Sequence, residues 1–393
     1  MKIAILSTSL ITGGAAIVTE RLGRALENIG HEVKFFTLPG RRERKLSFLA
    51  ERLEVFAGNG FNRNDLFKAS TGSFGMSGPV DEMIAWKPDI AVLAWVNQGF
   101  VSLGQVRKIG RAGIPMVWVM HDMWNLTGIC HYSMDCMNFR GECGNCPLVS
   151  PCLRRRNDLS HRVWRRKLET YRATPGITFV AVSRWLLGLA KESSLLGNRD
   201  CRVIPNVFPI ENYSIAEKEK GLIILGAARL DVPIKGLDLA IEALNQVDPL
   251  TGAHVAFFGD LRNQQAFSNL RLPYEHLGPL NPAQVAELCG KAQVLLSTAR
   301  YENLPTTLIE GQAGGCIPVS FLRGGQKDII DHKRTGWLSP FGDCADIARG
   351  IEWALSADIR PEDLRRSVAE KFSAETVARA YEQLFLEILA KNH

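Results

Sequence analysis

Short apolar runs separated by amphipathic stretches constrain this chain more than any other feature. Ile3–Ser7, Ile90–Trp95, Met116–Met120 and Ile177–Ser183 are each the length of one strand, and a run that is apolar throughout marks a strand buried on both faces. Helical periods lie between them, as at Ala15–Ile29, where Ile17, Leu22, Ala25, Leu26 and Ile29 fall on one side. The alternation predicts an α/β architecture with parallel sheets covered on both faces. It resumes at Leu222–Leu225 and continues through His254–Gly259 and Val294–Thr298. A second doubly wound unit is therefore expected, and 393 residues are too many for one ordinary core.

Several function classes fall away at once. The turn Thr12-Gly13-Gly14 lets backbone approach a ligand, but no G-x-G-x-x-G follows the first strand, which counts against a dinucleotide-dependent dehydrogenase. No run of about 18 apolar residues is present, so no membrane-spanning helix is expected. The opening MKIAILSTSLI reads as a buried strand rather than a signal peptide, since its brief apolar run feeds straight into the glycine turn. The expected compartment is the cytoplasm, where the nine cysteines stay reduced. Charge is uneven: residues 1–200 carry 27 Lys and Arg against 17 Asp and Glu, a net of +10, and the remainder 20 against 24, a net of −4. The N-terminal half is thus expected to face an anionic partner: a membrane surface, a phosphate-bearing acceptor or nucleic acid.

The stretch Ser297–Ser320, STARYENLPTTLIEGQAGGCIPVS, is the most specific for chemistry. Glu302 lies in the loop after a buried strand, Pro305-Thr306-Thr307 opens a helix, and Glu310 sits a turn and a half inside it. A helix mouth with unpaired N–H groups beside two carboxylates suits a ligand with both phosphates and hydroxyls. Glu-x7-Glu followed by small residues and Cys316-Ile317-Pro318-Val319 resembles the donor-site signature of retaining GT-B glycosyltransferases of family 4, the class that includes bacterial exopolysaccharide and lipopolysaccharide transferases. Arg229, Lys235-Gly236, Arg323-Gly324-Gly325 and Thr335-Gly336-Trp337 continue the resemblance over nearly the whole chain. Val207 stands where the family's Pro-Asn-Gly turn has glycine.

The resemblance implies a GT-B fold, two doubly wound Rossmann-like domains facing a central cleft. Residues 1–208 would bind the acceptor, 209–372 would bind the donor, and 373–393 would form a helix crossing back to the first domain. Polar, charged Glu211–Lys220 reads as the linker. Arg229 and Lys235 would hold the nucleotide diphosphate, Glu310 the ribose hydroxyls and Glu302 the sugar hydroxyls. Gly13, Gly14, Asn303 and Leu304 would complete the donor site. His121, at the carboxyl end of its strand, matches the family histidine near the anomeric carbon. The expected activity is transfer of a hexose-type sugar, with retention and without a catalytic metal, from a nucleotide-sugar donor to a growing polysaccharide or lipid-linked acceptor. A sugar-nucleotide epimerase, a phosphorylase or a non-catalytic sugar-nucleotide-binding protein are the alternatives.

Three segments lie outside that pattern. Residues 40–80 show no clear period and carry the cluster Arg41, Arg42, Arg44 and Lys45; such a stretch is either a functional lid or a variable excursion. Residues 130–152 hold Cys130, Cys136, Cys143, Cys146 and Cys152. The spacing C-x5-C-x6-C-x2-C fits a structural zinc site at Cys130, Cys136, Cys143 and Cys146; an iron–sulfur cluster, a disulfide or free thiols are the other readings. Similar cysteine-rich loops occur in some polysaccharide transferases of the family. From Arg154 to Arg172, Trp164, Leu168 and Tyr171 share a helical face amid cations. That helix either lies on an anionic membrane at the inner face of the plasma membrane or packs on its own domain; no nucleic-acid module accompanies it, so no nucleic acid is expected as partner.

Overall fold

The computed structural model describes residues 1–38, 43–61 and 68–392. Arg41 and Arg42 of the basic cluster, and the side chains of Arg44 and Lys45, lie outside the described residues. The chain forms two compact units: Met1–Val207 with Val377–His393, and Phe208–Thr376.

In the first unit, strands β1 (Lys2–Ser7), β2 (Glu32–Thr37), β3 (Ile90–Leu93), β4 (Met116–Met120), β5 (Ile177–Ala181) and β6 (Cys201–Val203) form a parallel sheet in the order β2-β1-β3-β4-β5-β6. Ile3–Leu6, Ile90–Leu93 and Met116–Met120 are wholly buried, as strands covered on both faces must be. Its helices are α1 (Gly14–Asn28), α2 (Glu43–Gly58), α3 (Ser77–Trp86), α4 (Leu103–Arg111), α5 (Leu159–Ala173) and α6 (Arg184–Glu192). On α1, Val18, Leu22, Ala25 and Leu26 face the core, whereas Ile17, expected there, is exposed. A helix turns about 100° per residue, which carries position 17 off the stripe set by 18, 22, 25 and 26.

In the second unit, β7 (Glu219–Arg229), β8 (His254–Asp260), β9 (Tyr274–His276), β10 (Ala292–Ser297), β11 (Ile317–Phe321) and β12 (Trp337–Ser339) run parallel in the order β12-β11-β10-β7-β8-β9. With α7 (Leu237–Leu244), α8 (Pro282–Lys291), α9 (Thr306–Ala313), α10 (Gln326–Ile329), α11 (Cys344–Ser356) and α12 (Pro361–Phe372), this is the 3-2-1-4-5-6 winding of dinucleotide-binding folds. The strand order reverses between β7 and β10, and in the first sheet between β1 and β3. Open sheets of this kind bind ligands at those points, beyond the carboxyl ends of the strands. A last helix, α13 (Ala374–Asn392), packs Val377, Tyr381, Leu384, Phe385 and Ile388 inward; from Val377 it belongs to the first unit.

Three sequence readings need correction. The stretch 40–80 contains α2 and the start of α3 rather than irregular chain. Its helical period was hidden because α2 buries Glu51 and Arg52 and exposes Leu46, Leu49 and Leu53, the reverse of ordinary patterning. Glu51 is 0% exposed and accepts N–H bonds from Thr71 at 2.8 Å and Gly72 at 3.3 Å. The membrane reading of α5 also fails, because Trp164 and Tyr171 are buried in their own unit and Trp164 Nε1 donates to Ser194. No aromatic of that helix is left at headgroup depth. Finally, the presumed linker is laid on the second unit: Lys218 Nζ donates to Cys289 O at 3.1 Å and Gly314 O at 2.6 Å.

Because Glu51 fastens α2 to the chain at Thr71, its replacement leaves two buried N–H groups unpaired. Glu51→Ala should destabilise the protein by about 2–4 kcal/mol, and Glu51→Gln by less, since the amide oxygen still accepts. Urea unfolding midpoints check both.

Candidate functional site

At the reversal point of the second sheet the expected donor residues come together in part. Arg229 ends β7 and donates through Nε to Asp231 at 3.0 Å. Lys235 follows in a single turn of 3₁₀ helix, Pro233–Lys235, and its Nζ lies 2.5 Å from Glu302 Oε1. Two residues 67 positions apart thus form one ion pair, with side chains 37% and 24% exposed.

Backbone geometry sets that pair. Gly236 has φ +70°, and a Cβ there would lie 2.1 Å from Thr298 O; only glycine permits the approach. Thr298 Oγ1 donates to Gly236 O at 2.9 Å and Arg300 N–H to Ile234 O at 2.8 Å, so the lysine turn is stitched to the end of β10. Glu302 is fixed from the other side, its carbonyl accepting from Gly325 N–H at 3.3 Å. Gly324, φ +148°, comes so near that a Cβ would stand 1.8 Å from the same oxygen. Asn303 and Leu304 are buried, and Pro305 caps α9 without a side-chain bond. Glu310 sits in the second turn of α9, half-buried. The structure therefore brings Lys235 and Glu302 into contact, turns Arg229 to Asp231, and carries Glu310 on the adjoining helix.

At the edge of the first sheet, Gly13 (φ +93°) and Gly14 open α1, exposed and with nothing within 4 Å of an added Cβ. His121 follows β4. Its Nε2 lies 3.5 Å from Thr19 Oγ1, and it lines a cavity of ≈ 10 Å³ with Val18, Asn206, Val207 and Tyr381, space for about one water. Burial pushes the His121 imidazole down to about 4 against the opposing pull of Asp122. The ring is therefore neutral at physiological pH.

Sequence reasoning missed the group that holds this edge. Buried Asp122 accepts from His131 Nδ1 at 2.7 Å, Trp95 Nε1 at 3.0 Å and Trp124 N–H at 2.8 Å. Burial alone would raise its carboxyl; the His131 charge and these bonds outweigh that and hold it below the usual range. His131 Nε2 in turn meets Ser70 Oγ at 3.0 Å. The Ser70–His131–Asp122 series has the connectivity of a nucleophilic triad, but Ser70 is 0% exposed, so it is a structural tie. Asp122 adjoins His121 in sequence, which was the one signal available.

Among the described residues no group of three or more His, Cys, Asp or Glu side chains is closed into a metal-ligand set. All nine cysteines are free thiols. Cys130, Cys136, Cys143 and Cys146 nevertheless line one cavity, whereas Cys152 is exposed outside it. Burial pushes the Cys143 thiol up to about 12 and Cys146 up to about 11.

Residues 12–212 match the family described as Glycosyltransferase Family 4, and 209–371 match Glycosyl transferases group 1. The chain belongs to Glycosyltransferase Family 4. It is 26% identical over 187 residues to N-acetyl-alpha-D-glucosaminyl L-malate synthase of Bacillus anthracis, covering 46% of this chain and 48% of that protein. With the amylovoran biosynthesis glycosyltransferase AmsK of Erwinia amylovora it shares 31% over 188 residues, 43% of this chain and 45% of that one. The chain thus spans about half the length of the curated relatives it matches. A glycosyltransferase from Rickettsia africae has a TM-score of 0.67 at 15% identity, covering 99% of this chain and 98% of its own. HepE of Anabaena, solved in complex with UDP, has a TM-score of 0.62 at 15% identity, covering 98% of this chain and 100% of its own. At such identity the likeness concerns the fold, and the fold is GT-B.

His121 supplies a pH test. Its folded value of about 4 lies below the ordinary 6.5, so the unfolded chain binds the proton more readily and stability falls as pH drops from 6.5 toward 4. The loss should approach about 3 kcal/mol. Urea midpoints should fall less steeply over that window in His121→Gln than in the parent.

Proposed function

We propose that this chain is a retaining glycosyltransferase that moves a hexose-type sugar from a nucleotide-sugar donor to a saccharide acceptor, a growing cell-surface polysaccharide or a lipid-linked oligosaccharide. The observation that carries the reading is the Lys235–Glu302 pair at the strand-order reversal of the second sheet. Bond cleavage at an anomeric carbon leaves a nucleoside diphosphate, and the charge that grows on it is what a catalyst must stabilise. Lys235 and Arg229 offer two cations at that edge, each held by a carboxylate that an incoming diphosphate would outcompete. Glu302, released from Lys235, would accept hydrogen bonds from sugar hydroxyls. Glu310 would do the same for the ribose, and exposed Gly13 and Gly14 would let backbone N–H groups approach phosphate.

On this reading the two side-chain cations supply the neutralisation that other transferases draw from a divalent ion, so transfer needs no catalytic metal. His121 would position the sugar or its developing charge as a neutral imidazole. The solved HepE complex with UDP favours a nucleoside diphosphate as the leaving group. The acceptor, anionic or lipid-linked, falls to the first unit with its surplus of cations. Exposed Arg154, Arg155, Arg156, Arg162 and Arg165 suit phosphate on that acceptor.

The test is a screen of UDP-, GDP- and ADP-sugars with and without acceptor, followed by Lys235→Ala, Glu302→Ala and Arg229→Ala. Each cation removed should cost about 10²–10³ in kcat/KM while leaving urea midpoints nearly unchanged, because half-exposed ion pairs stabilise little. Conversion of a sugar nucleotide without acceptor would point to an epimerase instead. Full transfer by Glu302→Ala would remove the proposed role of that carboxylate.

A further inference from the structure

Residues 121–158 connect β4 to α5 with only two turns of 3₁₀ helix, Trp124–Leu126 and Asn138–Arg140. A connection that long and that irregular needs something besides its own packing to hold it. At its centre Cys130, Cys136, Cys143 and Cys146 line a cavity of ≈ 20 Å³, space for about one water-sized sphere. Three polar side chains around it are already engaged: Ser160 Oγ donates to Asp158, Thr127 Oγ1 to Cys130 O, and Asn138 Nδ2 to Gly144 O. Ile129 and Phe139 complete the wall with the four cysteines.

The backbone between the last two cysteines is unusual. Cys143, Gly144 and Asn145 have φ of 53°, 95° and 47°, and each non-glycine residue in the left-handed region costs roughly 1–2 kcal/mol. Such a run persists only where its surroundings over-determine it. Here Gly144 N–H donates to Ser160 Oγ at 2.9 Å, Asn145 N–H to Arg155 O at 2.9 Å and Cys146 N–H to Asp158 Oδ2 at 2.8 Å. A Cβ at Gly144 would lie 2.3 Å from Arg156 O. The turn brings both flanking cysteines to the cavity wall, and Gly128 N–H donates to Cys143 Sγ at 3.2 Å, the contact a thiolate would strengthen.

A buried cation stands beside them. Lys167 is 0% exposed, its Nζ bonded to the carbonyls of Trp124 and Thr127 and lying 3.5 Å over the Trp124 ring. Burial pushes its ammonium well down from the ordinary lysine range, and Cys130 and Cys143 pull against that shift. An ammonium buried on carbonyls alone is costly; negative charge on those sulfurs would offset it.

We propose that Cys130, Cys136, Cys143 and Cys146 bind one zinc ion as a tetrahedral four-thiolate site. Each thiol gives its proton to solvent, and the divalent ion with four thiolates carries a net charge of −2, which Lys167 partly offsets. Four sulfur ligands leave no open position, so the site is structural. Its effect reaches the strand end through Cys130, which bridges to Ala69, and His131, which holds Asp122 next to His121.

The full chain, purified under reducing conditions, should hold about one zinc per molecule, released when a mercurial titrates the thiols. After chelation, added cobalt(II) should give the intense sulfur-to-cobalt absorption of a tetrahedral thiolate site. Cys152→Ser should keep the metal, and Cys143→Ser or Cys146→Ser should lose it. If those variants do not fold, the parent chain refolded with zinc or with chelator decides the matter: the proposal requires recovery of folded protein to fall severalfold without zinc. Equal refolding in both, bound iron in place of zinc, disulfide formation among the four, or no spectral response to cobalt would each overturn it.

Discussion

In a parallel sheet every strand delivers its carboxyl end to the same edge, and where strand order reverses the loops on either side diverge and leave that edge open. In the second unit the divergence lies beside β7, and a half-exposed lysine and glutamate meet there. Their energetics matter more than their closeness. Side chains 37% and 24% exposed belong to the class of ion pair worth about 0–1 kcal/mol, too little to explain two close backbone approaches, Gly236 to Thr298 and Gly324 to Glu302. Those approaches position the pair, and a weak pair rearranges cheaply when a more highly charged ligand arrives. A fully buried pair would have been fixed in place.

The parts legible in the sequence were those with a local cause. Continuous apolar runs announce β1, β3, β4 and β5, because a strand buried on both faces has no polar positions to spare. Glycine before Leu237 and Pro at the head of α8 likewise carry their meaning in one residue. Illegible parts depend on partners distant in sequence. Glu51 is buried because Thr71 and Gly72 present N–H groups to it, and no window around α2 reveals that. The same holds for Asp122, whose donors come from positions 95, 124 and 131.

The helix α5 shows how a cationic, aromatic pattern can be read inside out. Its exposed arginines are where a membrane-surface helix would have them, but Tyr171 of the aromatic stripe meets Trp118 and Phe179 in the core, at 6.2 Å and 5.1 Å, with Trp118 and Phe179 stacked 6.1 Å apart. Charge count alone could not separate Lys167 from its neighbours on the helix. Only the fold shows that this cation is inside and the others are out.

The two sheets differ in strand order and in what their edges present. The first winds 2-1-3-4-5-6 and the second 3-2-1-4-5-6, so neither is a copy of the other in strand order. The edge of the first presents an exposed glycine turn and a histidine kept neutral by burial, and the edge of the second presents ion-paired cations. A neutral ring and bare backbone suit hydroxyls and a single phosphate approach. On the proposed function, paired cations would suit a departing diphosphate, whose charge increases as the bond breaks, because the pairing would keep both lysine and arginine compensated until that charge appears.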